Sequence, residues 1–280
     1  MIKYPPIKVN LGLNVLRKRE DGFHDLETLF LESGRFHDTL EIVTGDDYSR
    51  TMASLAARYG DRGGICDGDI PALAQGISEN GKLMITVARA EGVDWDVRKD
   101  LCAKAYALLD NDFKLPPAKI FLEKNSPVGA GLGGGSADAA YTLTMLNDIC
   151  SLGLSTEQLA GYAARLGSDC AFFIFGRPMF GEGRGEVLTP FELAVDIVDA
   201  GGAACSGSRT GSSISGNDGS GSGNDSSGTG TARPCTREHP EKDRPQYELQ
   251  IVIPEGISVS TAEAYRGITP AIPEMRLKDV

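Results

Sequence analysis

Five of the seven residues from Gly129 to Gly135 are glycine, and an alanine-rich segment follows directly. Glycine lets backbone N–H groups turn toward an anion, and a following helix adds unpaired N–H groups and the positive end of its dipole. An apolar run at 120–122 precedes the glycines and another at 140–146 follows them. A flexible linker would lack such ordered flanks, so the segment predicts a phosphate-binding loop between a strand and a helix that opens at 136–140.

The class of phosphate loop follows from what surrounds the glycines. A Walker A loop needs a lysine before its Ser or Thr, and none precedes Ser136, so that class is excluded. Gly129-x-Gly131-x-x-Gly134 matches the dinucleotide fingerprint, but that fingerprint follows the first strand of its fold and needs an acidic residue about twenty residues later. Here the loop lies far along the chain and Asp148 falls in a helical pattern, so dinucleotide binding remains a secondary alternative.

Composition excludes several other classes of protein. The 280 residues carry a net charge of −11, which argues against a nucleic-acid surface. The sequence shows no opening signal segment and no apolar run long enough to span a membrane. We therefore expect a cytoplasmic protein that does not associate with a membrane. The six cysteines form no C-x-x-C pair and the three histidines are dispersed, so neither a zinc site nor a disulfide framework is indicated.

Local patterns predict where the chemistry-bearing residues lie. Residues 7–15 alternate apolar and polar, which predicts a strand with Lys8 and Asn10 on one face. Asp21-Gly22 indicates a hairpin turn, after which the chain returns as a second strand over 23–30. Ser155 and Gln158 form a capping-box pattern that starts a helix, with Gly167 as its stop. Asp169 follows, just before the apolar run 170–175.

Four motifs, in order, resemble those of the GHMP kinase superfamily. The string 127–140 is similar to its ATP-binding motif, and the triple glycine 133–135 is typical of a member that acts on a cytidine diphosphate-linked methylerythritol. Segments 7–30, 166–186 and 254–265 resemble that member's opening motif, catalytic-aspartate segment with the turn after it, and substrate-side segment. Four motifs in the same order identify a family more specifically than one glycine loop does.

The resemblance implies an α+β, two-layer GHMP kinase fold. We expect residues 1–190 to form an N-terminal ATP-binding domain of the ribosomal protein S5 domain 2-like type, and 191–280 an incomplete C-terminal α+β substrate domain. Residues 46–81 read as an insertion with a short helix at 52–59, and the Gly/Ser-rich segment 201–230 as a disordered insert. No second glycine-rich motif precedes Val280, so the sequence is expected to lack the C-terminal part of a typical member.

The activity implied by the resemblance is ATP-dependent phosphorylation of the 2-hydroxyl of the cytidine diphosphate-linked substrate in the non-mevalonate isoprenoid pathway, with Mg²⁺. Ser136 would touch a β-phosphate oxygen or the Mg²⁺ ion, although Ser is also a common helix N-cap. The expected ATP-binding residues are Pro127, Val128, Gly129, Ala130, Gly131, Leu132, Gly133, Gly134, Gly135, Ser136 and Ala137.

The family pattern implies Asp169 as the catalytic base and Lys8 as its partner. In this role the carboxylate accepts the proton of the substrate hydroxyl, and the ammonium orients it and offsets charge near the γ-phosphate. The alternatives are a plain Asp N-cap for Asp169 and a solvated strand face for Lys8.

Substrate selection is expected to involve Asn10, Phe23, His24 and Tyr265. The resemblance implies that the aromatic rings of Phe23, where a tyrosine is common, and Tyr265 enclose the cytosine and that the histidine hydrogen-bonds to it. The alternatives are ordinary core aromatics and a satisfied turn histidine.

The expected partner is therefore a small-molecule substrate, with the protein a monomer or a weak homodimer. Two other functions stay open: another GHMP small-molecule kinase, such as a homoserine or mevalonate kinase, and a nucleotide-binding remnant without activity.

Overall fold

The structure is a computed structural model that describes residues 1–45, 70–199, 245–254 and 261–279. Its strands are β1 Ile2–Lys3, β2 Pro6–Lys18, β3 His24–His37, β4 Thr39–Thr44, β5 Leu73–Ile77, β6 Leu83–Arg89, β7 Ala118–Lys124, β8 Met179–Gly183, β9 Val187–Pro190, β10 Asp196–Asp199 and β11 Gln246–Leu249. Its α-helices are α1 Leu101–Phe113, α2 Gly134–Ile149, α3 Thr156–Ala164, α4 Cys170–Phe175 and α5 Thr261–Arg266. Short 3-10 turns cover Val97–Lys99 and Leu277–Asp279. The architecture is α+β, as the sequence predicts.

The first sheet carries the strand that leads into the glycine loop. Its order is β1-β4-β7-β6-β5, with β7 antiparallel to β4 and parallel to β6. Ile85 and Ile120 from the strands pack with Tyr106 and Leu109 of α1 and Leu143 of α2 in one buried cluster. Burying each such apolar side chain stabilises the folded state by about 1.5–3 kcal/mol. The C-terminal end of β7 is therefore firmly held.

The second sheet is built on the expected hairpin and has the order β2-β3-β8-β9. Both hairpin strands run further than 7–15 and 23–30, and the turn residue Gly22 has a φ of 85°. One face of the sheet packs through Phe30 and Met179 onto α2 and α4. Its opposite face packs through Leu31 onto Ile197 of the parallel pair β10–β11. Helix α2 contributes to the clusters of both sheets, which fixes the helix relative to each of them.

Two helix ends differ from the sequence prediction. Helix α2 starts at Gly134 rather than Ser136, because Gly133 takes a left-handed φ of 71° and serves as its N-cap. Helix α3 has the predicted capping box at Ser155 but ends at Ala164, before Gly167. The last turn tightens there, since the N–H group of residue 165 bonds the carbonyl three residues back at 3.1 Å.

Several sequence expectations lie outside the described residues. These include the short helix at 52–59 and the insert at 201–230. Of the stretch 46–81, the described part contains β5, which pairs with β6 at the edge of the first sheet. In the described ranges, no helix has both the length and the apolar character needed to cross a membrane.

Candidate phosphate-binding and phosphoryl-transfer site

The glycine loop runs from the end of β7 to the start of α2. Gly129, Gly131 and Gly133 all have left-handed φ values, between 71° and 77°. Within α2 the first intrahelical hydrogen bond runs from Ala137 N–H to the Gly133 carbonyl, at 2.9 Å. The N–H groups of the three residues in between have no intrahelical acceptor and are free for an anion. The loop thus has the geometry of a phosphate cradle.

A cleft of about 460 Å³ opens over this loop. Loop residues 127–136 line it, whereas Ala137 is fully buried in the core. Residues that the sequence analysis did not single out also line it, namely Trp95, Lys99, Asp100, Leu101, Lys124, Ser126 and Asp138. Asp169 also lines this cleft, so the cradle and the expected base share one cavity.

Lys8 and Asp169 form an ion pair, 161 residues apart in sequence, and Asp169 lines the cleft. Lys8 Nζ lies 3.2 Å from a carboxylate oxygen of Asp169, and the two side chains are 8% and 29% exposed. Asp169 occupies the N-cap position of α4, but its side chain makes no capping hydrogen bond. Lys8 is buried and lies over the Phe30 ring at 5.1 Å, so it is not on a solvated face.

The lysine strand is also joined to the glycine loop. The backbone N–H of Lys8 donates to the carbonyl of Leu132 at 2.8 Å. A Cβ added to Gly133 would lie 2.9 Å from Lys8 Cγ, so only glycine lets the loop pass this close to the lysine. Strand β2 and the loop therefore hold each other in place.

Asn10 is placed beside Lys8 rather than apart from it. Lys8 Nζ donates to Asn10 Oδ1 at 2.8 Å, and Asn10 Nδ2 donates to Thr28 Oγ1 at 2.9 Å. Thr28 is fully buried on β3 and was not identified from the sequence. Its position opposite the lysine strand is set by the hairpin register, which the turn signal alone does not reveal.

A buried charge cluster lies beneath the loop. Lys124 donates to Asp38 and, at 2.6 Å, to Asp138; all three side chains are 5% exposed or less. Asp38 also accepts the N–H groups of Asn125 and Ser126, each at 2.7 Å. Neither Lys124 nor Asp138 stands out in the sequence, although both flank the loop and Asp138 interrupts an alanine-rich run.

The two carboxylates of the cluster are in different environments. Within the described residues, Asp138 Oδ1 is buried with no hydrogen-bond partner. Burial raises the pKa of Asp138 well above its usual range, and the nearby Asp38 adds to the rise against the opposing effect of Lys124. Burial would lower the pKa of Lys124, but the two carboxylates outweigh it and raise that pKa. Asp138 thus borders the phosphate cleft with an unused oxygen.

Ser136 lies in the first turn of α2 and is not its N-cap. Its hydroxyl contacts the thiol of Cys170, whose pKa burial raises to about 11 while the hydrogen bond to Ser136 opposes the rise. The described residues contain no group of three or more His, Cys, Asp or Glu side chains that could hold a metal. Because Mg²⁺ at nucleotide sites keeps waters and phosphate oxygens as ligands, one or two protein oxygens suffice there. Ser136 fits that requirement.

Of the described rings expected to bind the cytosine, only those of His24 and Tyr265 are in contact with each other. His24 stacks on Tyr265, with ring centroids 5.2 Å apart and an interplanar angle of 22°. Phe23 is 54% exposed, and the guanidinium of Arg184 lies 5.0 Å from its ring centroid. Burial raises the pKa of Tyr265, and the nearby Asp169 carboxylate adds to the rise.

A second contact that the sequence did not reveal ties residues 276–277 to the hairpin. Glu27 is fully buried and accepts from Arg276 Nε at 2.6 Å, Leu277 N–H at 2.9 Å and Asn14 Nδ2 at 2.9 Å. Burial alone would raise the pKa of Glu27, but these hydrogen bonds outweigh it and hold the pKa below its usual range. The segment before Asp279 is thereby fastened to β2 and β3.

The chain is similar to a family model, to curated relatives and to a solved structure. Residues 100–177 match the family model for the GHMP kinases N terminal domain. A 4-diphosphocytidyl-2-C-methyl-D-erythritol kinase of Bacteroides fragilis is 39% identical over 195 residues, which cover 70% of this chain and 59% of the relative. The chain therefore spans less than two thirds of that relative's length. A crystal structure of 4-(cytidine 5'-diphospho)-2C-methyl-D-erythritol kinase is 30% identical with a TM-score of 0.47, and the match covers 69% of this chain and 56% of that one.

A longer match comes from Parabacteroides distasonis. Its 4-diphosphocytidyl-2-C-methyl-D-erythritol kinase is 31% identical over 280 residues, covering 100% of this chain and 71% of the relative. This match includes the glycine loop, Lys8 and Asp169 within one alignment of the whole chain. The chain therefore belongs to the 4-diphosphocytidyl-2-C-methyl-D-erythritol kinase family of the GHMP kinases.

Proposed function

We propose that this chain binds ATP over the glycine loop and transfers its γ-phosphoryl group to the 2-hydroxyl of 4-diphosphocytidyl-2-C-methyl-D-erythritol. The observation that carries the proposal is the Lys8–Asp169 pair, 3.2 Å apart, whose carboxylate lines the same cleft as the loop. Phosphoryl transfer depends mainly on positioning and on charge stabilisation, and this cleft offers groups for both.

In this proposal Asp169 accepts the proton of the acceptor hydroxyl. Its carboxylate makes no helix cap and is 29% exposed, so one side is open to a substrate. Lys8 is held by the loop, by Asn10 and by the Phe30 ring, so its ammonium has a fixed place. From there it would offset the negative charge that gathers as the hydroxyl approaches the γ-phosphoryl group.

The nucleotide phosphates would be held by the backbone N–H groups of the loop and of the first turn of α2. Mg²⁺ supplies charge neutralisation between phosphate oxygens when bound, and Ser136 is the proposed protein contact. We assign residues 127–137 to the ATP site, with Ala137 acting as a packing residue behind it. Trp95 and Leu101 line the same cleft and would border the nucleotide.

The substrate side of the proposal uses Asn10, Phe23, His24 and Tyr265. Tyr265 already stacks on an aromatic ring in this structure, and a flat pyrimidine suits the same type of contact. Phe23 is exposed and has a face available for a ligand. We propose a two-domain division at residue 190, a cytoplasmic location, and a monomer or weak homodimer.

A coupled ADP-release assay tests the function. The chain is incubated with Mg·ATP and 4-diphosphocytidyl-2-C-methyl-D-erythritol, homoserine or mevalonate, with the Asp169→Asn variant as the matched control. ADP release with only the first acceptor, lost in the variant, supports the proposal. Release with only homoserine or mevalonate indicates another GHMP kinase, and ATP binding without release for any acceptor indicates a nucleotide-binding remnant.

A further inference from the structure

A continuous path of polar contacts leads from the Lys8–Asp169 pair into the hairpin. Lys8 Nζ donates to Asn10 Oδ1 at 2.8 Å, and Asn10 Nδ2 donates to Thr28 Oγ1 at 2.9 Å. Thr28 Oγ1 in turn donates to the carbonyl of Gly12 at 2.7 Å. The path therefore ends on the backbone of the lysine's own strand.

The direction of every hydrogen bond in this path is fixed from its far end. The Gly12 carbonyl can only accept, so the single hydroxyl proton of Thr28 is committed to it. The Thr28 oxygen must then accept from the amide nitrogen of Asn10. This turns the amide oxygen of Asn10 toward Lys8, whose ammonium can only donate.

The Gly12 carbonyl is available because strand β2 has a bulge there. Leu11 pairs with Leu29 and Leu13 pairs with Thr28, so Gly12 is an extra residue without a partner on β3. Its φ of 70° is left-handed, and an added Cβ would lie 2.7 Å from Leu277 Cδ1. The left-handed backbone favours glycine at this position, and the bulge interrupts the regular strand pairing beside Thr28.

We propose that Thr28 is a positioning residue for phosphoryl transfer. It orients the Asn10 amide, and through that amide it sets the place of the Lys8 ammonium against Asp169. Thr28 is fully buried and lies on the far side of Asn10 from Lys8, so it acts through another residue and does not touch the substrate. This inference rests on the proposed function of the Lys8–Asp169 pair.

Valine in place of Thr28 keeps the shape and removes the hydroxyl. The amide nitrogen of Asn10 then has no acceptor, and a rotated amide would point its N–H groups at the Lys8 ammonium. Losing the acceptor of this half-buried donor is a large enough effect to lower kcat about tenfold or more. Because the glycine loop is unchanged, the KM for ATP should stay within about a factor of two of wild type.

The experiment compares Thr28→Val with Thr28→Ser, which restores the hydroxyl. Thr86→Val is the matched control, because Thr86 is also a fully buried strand threonine that accepts from a side-chain amide, Gln75 Nε2, at 3.0 Å. Thr86 belongs to the other sheet and has no contact with the path. We measure kcat and KM and, independently of turnover, the ¹⁵N–¹H signal of the Lys8 ammonium, assigned by its loss in Lys8→Met.

We expect Thr28→Val to lose turnover and to shift or broaden the Lys8 signal, Thr28→Ser to recover both, and Thr86→Val to change neither. Wild-type turnover and an unchanged Lys8 signal in Thr28→Val would overturn the proposal. So would a Thr28→Ser variant as impaired as Thr28→Val, or an equal loss in Thr86→Val. If wild type transfers phosphate to none of the acceptors, the proposed function fails, and the Lys8 signal still decides whether Thr28 positions the lysine.

Discussion

Replacing Lys124 by methionine tests the buried charge cluster beneath the glycine loop. The change keeps most of the side-chain length but leaves Asp38 and Asp138 facing each other without a cation. Removing one partner of a buried ion pair costs about 3–5 kcal/mol, because the remaining charge is uncompensated. At about 2–4 °C per kcal/mol for a domain of this size, the melting temperature should fall by about 6–20 °C.

Urea unfolding followed by the fluorescence of Trp95, the single tryptophan, measures this cost. The double variant Lys124→Met/Asp138→Asn puts a neutral amide in place of the carboxyl whose pKa is raised by burial, and it should recover about 1 kcal/mol or more. Asp38 keeps its own donors in that variant, including the two backbone N–H groups at 2.7 Å. The double variant thus separates lost charge compensation from lost packing.

An exposed ion pair supplies the control. Arg98 pairs with Asp96 at 2.9 Å, but its side chain is 60% exposed. Arg98→Met should therefore cost far less stability than Lys124→Met. If Lys124→Met costs no more than Arg98→Met, or if the added Asp138→Asn change recovers nothing, the account of the cluster is refuted.

Three further predictions concern the site and its support. Asp169→Asn should lower turnover about 10²–10⁴-fold with ATP affinity unchanged by calorimetry; residual turnover above about a tenth of wild type would exclude it as the base. Phe23→Ala and Tyr265→Ala should each weaken CDP binding by about 1–3 kcal/mol without weakening ATP binding; CDP affinity unchanged from wild type in both variants would remove the cytidine assignment. The depressed pKa of Glu27 means that its stabilising effect is complete above about pH 4.5 and is lost as the pH falls through the folded-state pKa. The protection factor of the Leu277 amide, which corrects for the intrinsic pH dependence of exchange, should therefore fall at acid pH in wild type and lose this pH dependence in Glu27→Gln.

Features fixed by neighbouring residues could be predicted from the sequence. The glycine loop, the hairpin turn at Gly22 and the capping box at Ser155 each depend on a few adjacent residues, and all three are present. The start of α2 was misplaced because Gly133, which lacks a capping side chain, serves as the N-cap. Helix α3 ends three residues before the predicted stop, Gly167, because its last turn tightens. No residue type in the sequence signals that tightening.

Contacts between distant residues could be predicted only through the family resemblance or not at all. The motifs that resemble the family gave Lys8 and Asp169 a common role, and the structure puts them 3.2 Å apart. Asp38 bonds residues 86 to 88 positions later, and Glu27 bonds residues about 250 positions later. No periodicity in the sequence encodes such pairings, since they depend on how the two sheets and the last segment pack.

The close approach of Gly133 to Lys8 has a consequence for mutational scans. A side chain at position 133 would strain a left-handed backbone and press on the lysine stem, 2.9 Å away. Gly129 and Gly131 have open space where a Cβ would lie, so alanine there would strain the loop alone. A screen for loss of turnover would then give Gly133→Ala the phenotype of a Lys8 replacement. In such data the glycine would cluster genetically with the lysine on another strand rather than with its own neighbours in the loop.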